Sequence, residues 1–287
     1  METEFWLLDI TYSLSDDEIR LYGIDGGGRR VIILDRDFHH YFYLLVGEGV
    51  APSDVIDAAR PKAEGAVLRF ERVRKRLFGR PVDAVKVTCR RHALLGPLAR
   101  KLRKVEGVRG VLEDDIRYSD RYLIDNDVTP CGWHRVRVEE VENRWGYRAD
   151  AVYRALGAPS RSERVEPPQL RVLSFSLEYC APFGVSSGES FVATLSVRAG
   201  GRAQRFVAED RDDRSVLRGF AGLVADYDPD VIVGYGSNLF DWKVLMERAA
   251  ANKVRIDVGR DGSGPHRSVY GHVSVAGRAN VDLLNHV

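Results

Sequence analysis

Leu173-Ser174-Phe175-Ser176-Leu177-Glu178 is the stretch whose reading decides the fold of this chain and puts its chemistry in question. Apolar and polar residues alternate, the period-2 signature of a strand with one buried face. Residues i and i+2 of a strand share a face, so Ser176 and Glu178 point the same way. Two carboxylates at these positions would form half of a two-metal phosphodiester-cleaving site, where several anionic oxygens converge on two divalent cations. Here one of the two is a serine, whose hydroxyl is neutral and a poor substitute. Further on, Asn238-Leu239-Phe240-Asp241 offers another carboxylate at the start of a predicted helix.

Working outward, a Gly/Ser loop at 184–188 follows the strand, and 191–197 and 204–207 read as antiparallel neighbours. Arg214 to Tyr227 is amphipathic, with Val216, Leu217, Phe220, Leu223, Val224 and Tyr227 on one side. Asp228-Pro229-Asp230 ends that helix. Val231-Ile232-Val233 is short and wholly apolar, as a central buried strand should be. Phe240 to Ala251 is the next helix, and Val273–Val275 with Asn280–Leu283 flank Ala276-Gly277-Arg278 as a hairpin. Strands first, then strand–helix alternation, predict a mixed sheet with packed helices over residues 170–287.

Upstream, strands are predicted at 5–12, 19–24, 31–34 and 41–46, and a helix at 53–59 with Ser53 as its N-cap. Residues 67–76 and 82–88 flank Phe78-Gly79-Arg80-Pro81, a hairpin-like turn. A helix at 97–105 and a strand at Val111-Leu112 complete a compact α+β unit over residues 1–135. Residues 136–169 are polar and charged and include Pro159, Pro167 and Pro168, so they read as a connector with a short helix at 149–156.

Composition sets the bounds. A length of 287 residues predicts about two domains, at roughly 100–200 residues each. There is no apolar run long enough to span a bilayer and no signal-peptide pattern at the N-terminus. Cys89, Cys131 and Cys180 are odd in number and widely spaced, fitting neither a disulfide framework nor a zinc site; a reducing cytoplasm is the expected compartment. The net charge of +1 conceals a basic block: residues 60–104 hold fifteen Lys or Arg against three acids, Glu64, Glu71 and Asp83. Such a block marks either a phosphate-facing surface or a solvated face. His39-His40 suggests a metal pair, but neighbours on a strand point to opposite faces and cannot share an ion.

Taken together, several segments resemble archaeal-type family B DNA polymerases. Arg121-Tyr122-Leu123-Ile124-Asp125 is similar to the segment closing that family's N-terminal domain. Leu173 to Glu178 resembles its first exonuclease motif, and Asp228 to Tyr235, running on to Phe240-Asp241, resembles the second. Gly259-Arg260-Asp261-Gly262-Ser263 and Gly277-Arg278 with Asp282-Leu283 resemble a later loop and hairpin. The order and spacing agree over nearly the whole chain.

The resemblance implies an N-terminal mixed α/β domain followed by a ribonuclease H-like exonuclease domain, acting on single-stranded template and primer–template DNA. It also implies Mg²⁺ or Mn²⁺ held by four carboxylates. Glu178 matches the second of these and Asp241 the third. The first falls on Ser176, the fourth lies past Val287, and an asparagine favoured five residues before the third is Gly236. The expectation is therefore weak or absent 3′–5′ exonuclease activity, with an active rearranged nuclease or a polymerase-binding accessory protein as alternatives. Asp282 is expected to be structural. The family's last nuclease motif, palm, fingers and thumb are not in this sequence, so a piece of a longer chain is expected, with a natural short relative as the alternative. The resemblance further implies a uracil-reading pocket at Tyr12, His40, Tyr41, Leu95, Val111, Tyr118 and Arg121, with histidines at 40 and 92 where the family often has proline.

Overall fold

The computed structural model describes residues 1–181, 190–268 and 271–286; the loop expected at 184–188 lies outside them. In chain order the elements begin with β1 (Glu2–Ser13), β2 (Glu18–Asp25), β3 (Arg30–Asp35), β4 (Tyr41–Val46), α1 (Pro52–Ala63), β5 (Val67–Leu77) and β6 (Arg80–Cys89). Next come α2 (Leu95–Leu102), β7 (Val108–Leu112), α3 (Tyr118–Asp125), β8 (Trp133–Val141), β9 (Ala151–Ala155) and β10 (Ser160–Arg161). The last part holds β11 (Val172–Cys180), β12 (Phe191–Ala199), β13 (Arg202–Val207), α4 (Arg214–Tyr227) and β14 (Val231–Gly234). It ends with α5 (Asp241–Asn252), β15 (His266–Arg267), β16 (Val273–Ser274) and β17 (Ala279–Asp282).

The expected N-terminal unit resolves into two. β1, β2, β3, β9 and β8 pair in that order, and β8 pairs back onto β1, so five strands close into a ring with β10 on the outside of β8. A register shift between Leu7 and Asp9 helps β1 curl. The ring's core holds Phe5, Leu7, Ile19, Leu21, Val31, Ile33, Val136, Val138 and Tyr153, packed against Tyr118 and Tyr122 of α3. Residues 136–169, expected to be a connector, therefore supply β9 and most of β8. The short helix expected at 149–156 is strand β9, because Val31 to Leu34 of β3 give Ala151 to Arg154 a parallel partner.

The second unit, 41–112, sits between β3 and α3. Its order β4-α1-β5-β6-α2-β7 and its sheet order β5-β6-β4-β7 make a split βαβ sandwich with both helices on one face. Phe42, Leu44, Val85, Val87, Leu95, Leu98 and Val111 fill the space between. α1 begins at Pro52 with Ala51 as its cap residue and no side-chain cap bond, so Ser53 does not cap it; a proline fits the first helical turn, where the missing N–H would be unpaired anyway.

The third unit is a five-stranded sheet in the order β13-β12-β11-β14-β17, with β11, β14 and β17 mutually parallel and β12 antiparallel. This is the ribonuclease H-like arrangement. Leu173 and Phe175 lie in the core with α4 and α5, the Phe175 ring against Phe220 and Trp242, while Ser176 and Glu178 face away and are exposed. Each fully buried Phe or Leu here contributes about 1.5–3 kcal/mol. The hairpin expected around Ala276-Gly277-Arg278 survives only as a bridge between Val275 and Arg278. β16 instead pairs with β15, and β17 runs parallel to β14, so the turn redirects the chain into the central sheet.

The first and third units meet through buried ion pairs. Asp230 is 0% exposed and accepts Arg30 Nε at 3.1 Å and Nη2 at 2.5 Å, Arg260 Nη2 at 2.8 Å and the Arg171 N–H at 2.7 Å. Asp228 accepts two bonds from Arg260 and one from Arg278. The glycine of Gly277-Arg278 is dictated by packing: a Cβ there would lie 2.6 Å from the Tyr22 ring, and its N–H donates to Asp9 Oδ2 of β1 at 2.7 Å.

Candidate functional site

β11 and β14 are parallel neighbours, so their C-terminal ends open on one edge of the sheet, where open α/β sheets bind ligands. Glu178 lies near the end of β11, exposed, with Oε2 accepting a 2.8 Å bond from Thr194 Oγ1 of β12. Ser176 stands directly across from Ser196. On this open face Ser174, Ser176, Ser196, Arg198, Gln204 and Arg205 line a groove of about 400 Å³. Hydroxyls and guanidinium groups suit anions better than metal ions.

Asp241 is the first residue of α5, following Phe240 at the cap position, so it sits in the favourable field of the helix N-terminus. Burial and then the nearby Asp282 charge nonetheless push its carboxyl up to about 6. Asp282 itself is committed to the scaffold. Its oxygens accept the N–H groups of Gly236 at 2.7 Å, Asn238 at 2.9 Å and Leu284 at 3.1 Å. Burial works to raise its pKa, but the Asn238, Leu284 and Gly236 N–H groups outweigh it and hold the carboxyl below the usual range. Gly236 has φ +69°, the left-handed region that glycine and asparagine share. Glycine therefore keeps the turn and drops the amide side chain.

The raised pKa of Asp241 makes its contribution to stability fall as pH rises. An acid whose folded pKa exceeds its unfolded value near 3.9 binds more protons when folded, so it lowers stability as pH rises from about 4 to 6. Asp241→Asn should melt with wild type at pH 4 and about 2–4 °C above it at pH 8. A lower melting temperature at pH 8 would show instead that the charged carboxylate holds a favourable partner.

Among the described residues the donor set falls short of what a pair of divalent cations needs. Two-metal sites need several converging anionic oxygens, and among the described residues no group of three or more His, Cys, Asp or Glu side chains is placed to hold a metal ion. What the sequence reading missed is the apolar rim at this edge. Tyr235, Leu239 and Phe240 are exposed around Asp241, and Phe240 and Leu284 approach Gly236. Three apolar side chains in the loop leading to a carboxylate at a helix start are the signal that could have found them.

The seven residues implied for base recognition fall into three places. Tyr12, His40 and Tyr118 join His92 and Phe38 in an aromatic cluster: the His92 ring lies 4.6 Å from Tyr118 at 4° between planes, with His40 stacked on Tyr118 at 5.3 Å and Phe38 at 5.6 Å. Tyr41 and Arg121 form a separate pair, Nη1 to Oη at 3.0 Å, with Asp125 accepting from the tyrosine hydroxyl at 2.8 Å. Leu95 and Val111 lie in the core of the split βαβ unit. His40 shares a 2.8 Å Nδ1···Nδ1 bond with His92, in which one ring donates and the other accepts. Burial, and then the His92 and Arg121 charges, lower the His40 pKa to about 3, so it is neutral at physiological pH.

Residues 199–287 match the family model for the exonuclease domain of family B DNA polymerases. The chain is 37% identical to DNA polymerase 2 of Aeropyrum pernix, over 98% of this chain and 36% of that protein. It is 31% identical to DNA polymerase 3 of Saccharolobus shibatae, over 99% of this chain and 37% of that one. The family B DNA polymerase structure from Pyrobaculum calidifontis superposes with a TM-score of 0.87 at 41% identity, covering 98% of this chain and 37% of that one. The chain thus spans little more than a third of the length of these relatives. Over nearly its whole length it is similar to the N-terminal and exonuclease regions of archaeal family B DNA polymerases.

Proposed function

We propose that this chain is the DNA-contacting N-terminal and exonuclease region of a family B DNA-directed DNA polymerase, with a 3′–5′ exonuclease site that no longer cleaves. The observation that carries the loss is the donor set. Ser176 faces Ser196 where the first carboxylate belongs, and Asp282 is spent on three backbone N–H groups. Of the three carboxylate positions that fall within this sequence, only Glu178 and Asp241 keep an acid. The scaffold's work is then to hold DNA. Its basic block meets phosphates, and Tyr235, Leu239 and Phe240 offer an apolar rim for an unpaired strand end.

Base reading for uracil is absent in this proposal. The Tyr118 ring on which a base would stack is already covered by His92, at 4.6 Å and nearly parallel. In a binding assay on otherwise identical single strands, deoxyuridine and thymidine templates should bind within about twofold of each other, with affinity falling steeply as salt rises. A tenfold preference for the deoxyuridine strand would restore the uracil reading. Salt-independent binding, or none, would sink the DNA-binding proposal and favour the accessory-protein alternative.

A further inference from the structure

The β5–β6 hairpin ends in a residue that neither burial nor backbone preference explains. β5 and β6 pair from Val67 to Cys89, and the turn between them places Phe78 at the tip. Phe78 is 97% exposed. Its φ of +49° lies in the left-handed region that bulky residues avoid and that asparagine or glycine normally fills in such a turn. The position thus carries a large apolar ring, in a conformation that disfavours it, with no packing to compensate.

Cations line the strands behind that ring. Arg72, Arg74 and Arg76 share one face of β5, and Arg80, paired with Leu77, opens β6 on the other face. Arg74 stands across from Asp83. Even so, none of these four guanidinium groups makes a hydrogen bond or ion pair among the described residues. β5 is an edge strand, and edge charge alone can be protection against pairing with another chain. That explanation fails at Phe78, which makes the tip more adhesive. Side chains at i and i+2 of a strand are about 6.6 Å apart, comparable to successive phosphates on one nucleic-acid strand. Guanidinium groups bind phosphate in a bidentate way, which suits arginine over lysine here. Beside the tip, Leu45, Val50, Leu77, Phe78, Arg80 and Arg109 line a groove of about 600 Å³. Glu48 and Asp83 lie on its rim as well, with Glu48 3.9 Å from Arg109.

We propose that the β5–β6 hairpin is a single-stranded DNA grip, separate from the nuclease edge: Phe78 stacks on a base, and Arg72, Arg74 and Arg76, on one face of β5, take successive phosphates. This rests on the DNA-binding reading above and assigns that binding to one element. The test is fluorescence anisotropy of a labelled thymidine 12-mer with the 287-residue chain over a salt series. Phe78→Ala should weaken binding about 5- to 100-fold while leaving the salt slope unchanged, because stacking releases no counterions. The triple variant Arg72→Gln, Arg74→Gln, Arg76→Gln should reduce the slope of log K against log salt by about 2, near 0.7 for each phosphate left without its arginine. All four side chains are on the surface, so the melting temperature serves as the folding control. Salt-dependent wild-type binding with both variants within twofold of it would overturn the hairpin assignment and leave DNA binding elsewhere on the chain. No wild-type binding would end both proposals. A shift of Phe78→Ala from dimer to monomer on size exclusion, with DNA affinity intact, would make the tip a self-association surface and overturn the grip.

Discussion

Asp230→Ala should remove about 3–5 kcal/mol of stability, the range for deleting one partner of a buried ion pair. Asp230 is fully buried and accepts four hydrogen bonds, two from Arg30 of the N-terminal ring, one from Arg260 and one from the Arg171 backbone. Its loss strands two buried guanidinium groups, with only the more exposed Asp228 left to share among Arg260, Arg278 and Arg171. Arg278 is already poorly served: burial, and then the Arg260 charge, lower its pKa to about 10, and its Nη2 has no partner. Because Arg30 comes from β3 and Asp230 precedes β14, the cost falls on the joint between two units. Wild type should melt in one transition, and Asp230→Ala in two, the sheet of β11–β17 separating from the ring.

The pH dependence has a definite sign. Burial works to raise the Asp230 pKa, but the bonds from Arg30, the Arg171 N–H and Arg260 prevail and lower it. An acid with a depressed folded pKa contributes stability that is complete above its unfolded value near 3.9 and is lost as pH falls through the folded value. Acid unfolding of wild type should therefore steepen below about pH 4, and Asp230→Asn should flatten that limb. Urea unfolding at pH 7 and pH 3.5 checks both. A loss under 1 kcal/mol for Asp230→Ala would mean that Asp228 or water replaces it without cost.

Asp228-Pro229-Asp230 shows why some of the molecule is legible in sequence and some is not. The strand–helix alternation after Leu170 can be read because its periods are clean: α4 buries Val216, Leu217, Phe220 and Val224 on one face. Arg260 and Arg278, by contrast, belong to a residue type that is mostly exposed, and nothing local marks them as buried. The closing of the N-terminal ring is hidden for another reason. β8 alternates buried and exposed residues from His134 to Glu139, a strand period, but its outward positions are Arg and Glu, which read as a polar connector. Its partner β1 lies at the other end of the unit, and such long-range pairing leaves no local trace. At the nuclease edge, Glu178 and Asp241 can be placed from sequence. The commitment of Asp282 to three N–H groups depends on how loop 236–238 folds onto β17, which spacing cannot show.

Wild type should leave a 5′-labelled single strand intact in Mg²⁺ or Mn²⁺, at a rate more than ~10²-fold below that of a complete site, since losing one metal-binding carboxylate disables ion placement and nucleophile activation together. Glu178→Ala and Asp241→Ala should then change nothing in the same assay. If wild type digests the strand and either substitution abolishes that, Ser176 is a substituted ligand within a working site and the degenerate reading is wrong. The serine itself provides the positive control. Ser176 and Glu178 share the exposed face of β11, so Ser176→Asp places a second carboxylate two residues from Glu178. Millimolar Mn²⁺ should leave the wild-type melting temperature unmoved and raise that of Ser176→Asp, by about 2.7 kcal/mol of stabilisation at a hundredfold excess over the dissociation constant. The Asp241 carboxyl, pushed up to about 6, makes the gain pH-dependent: it should be large at pH 8 and vanish near pH 5, where protons displace the cation. A Mn²⁺ response in wild type as large as in Ser176→Asp would show that two carboxylates suffice here and that Ser176 does not disable the site.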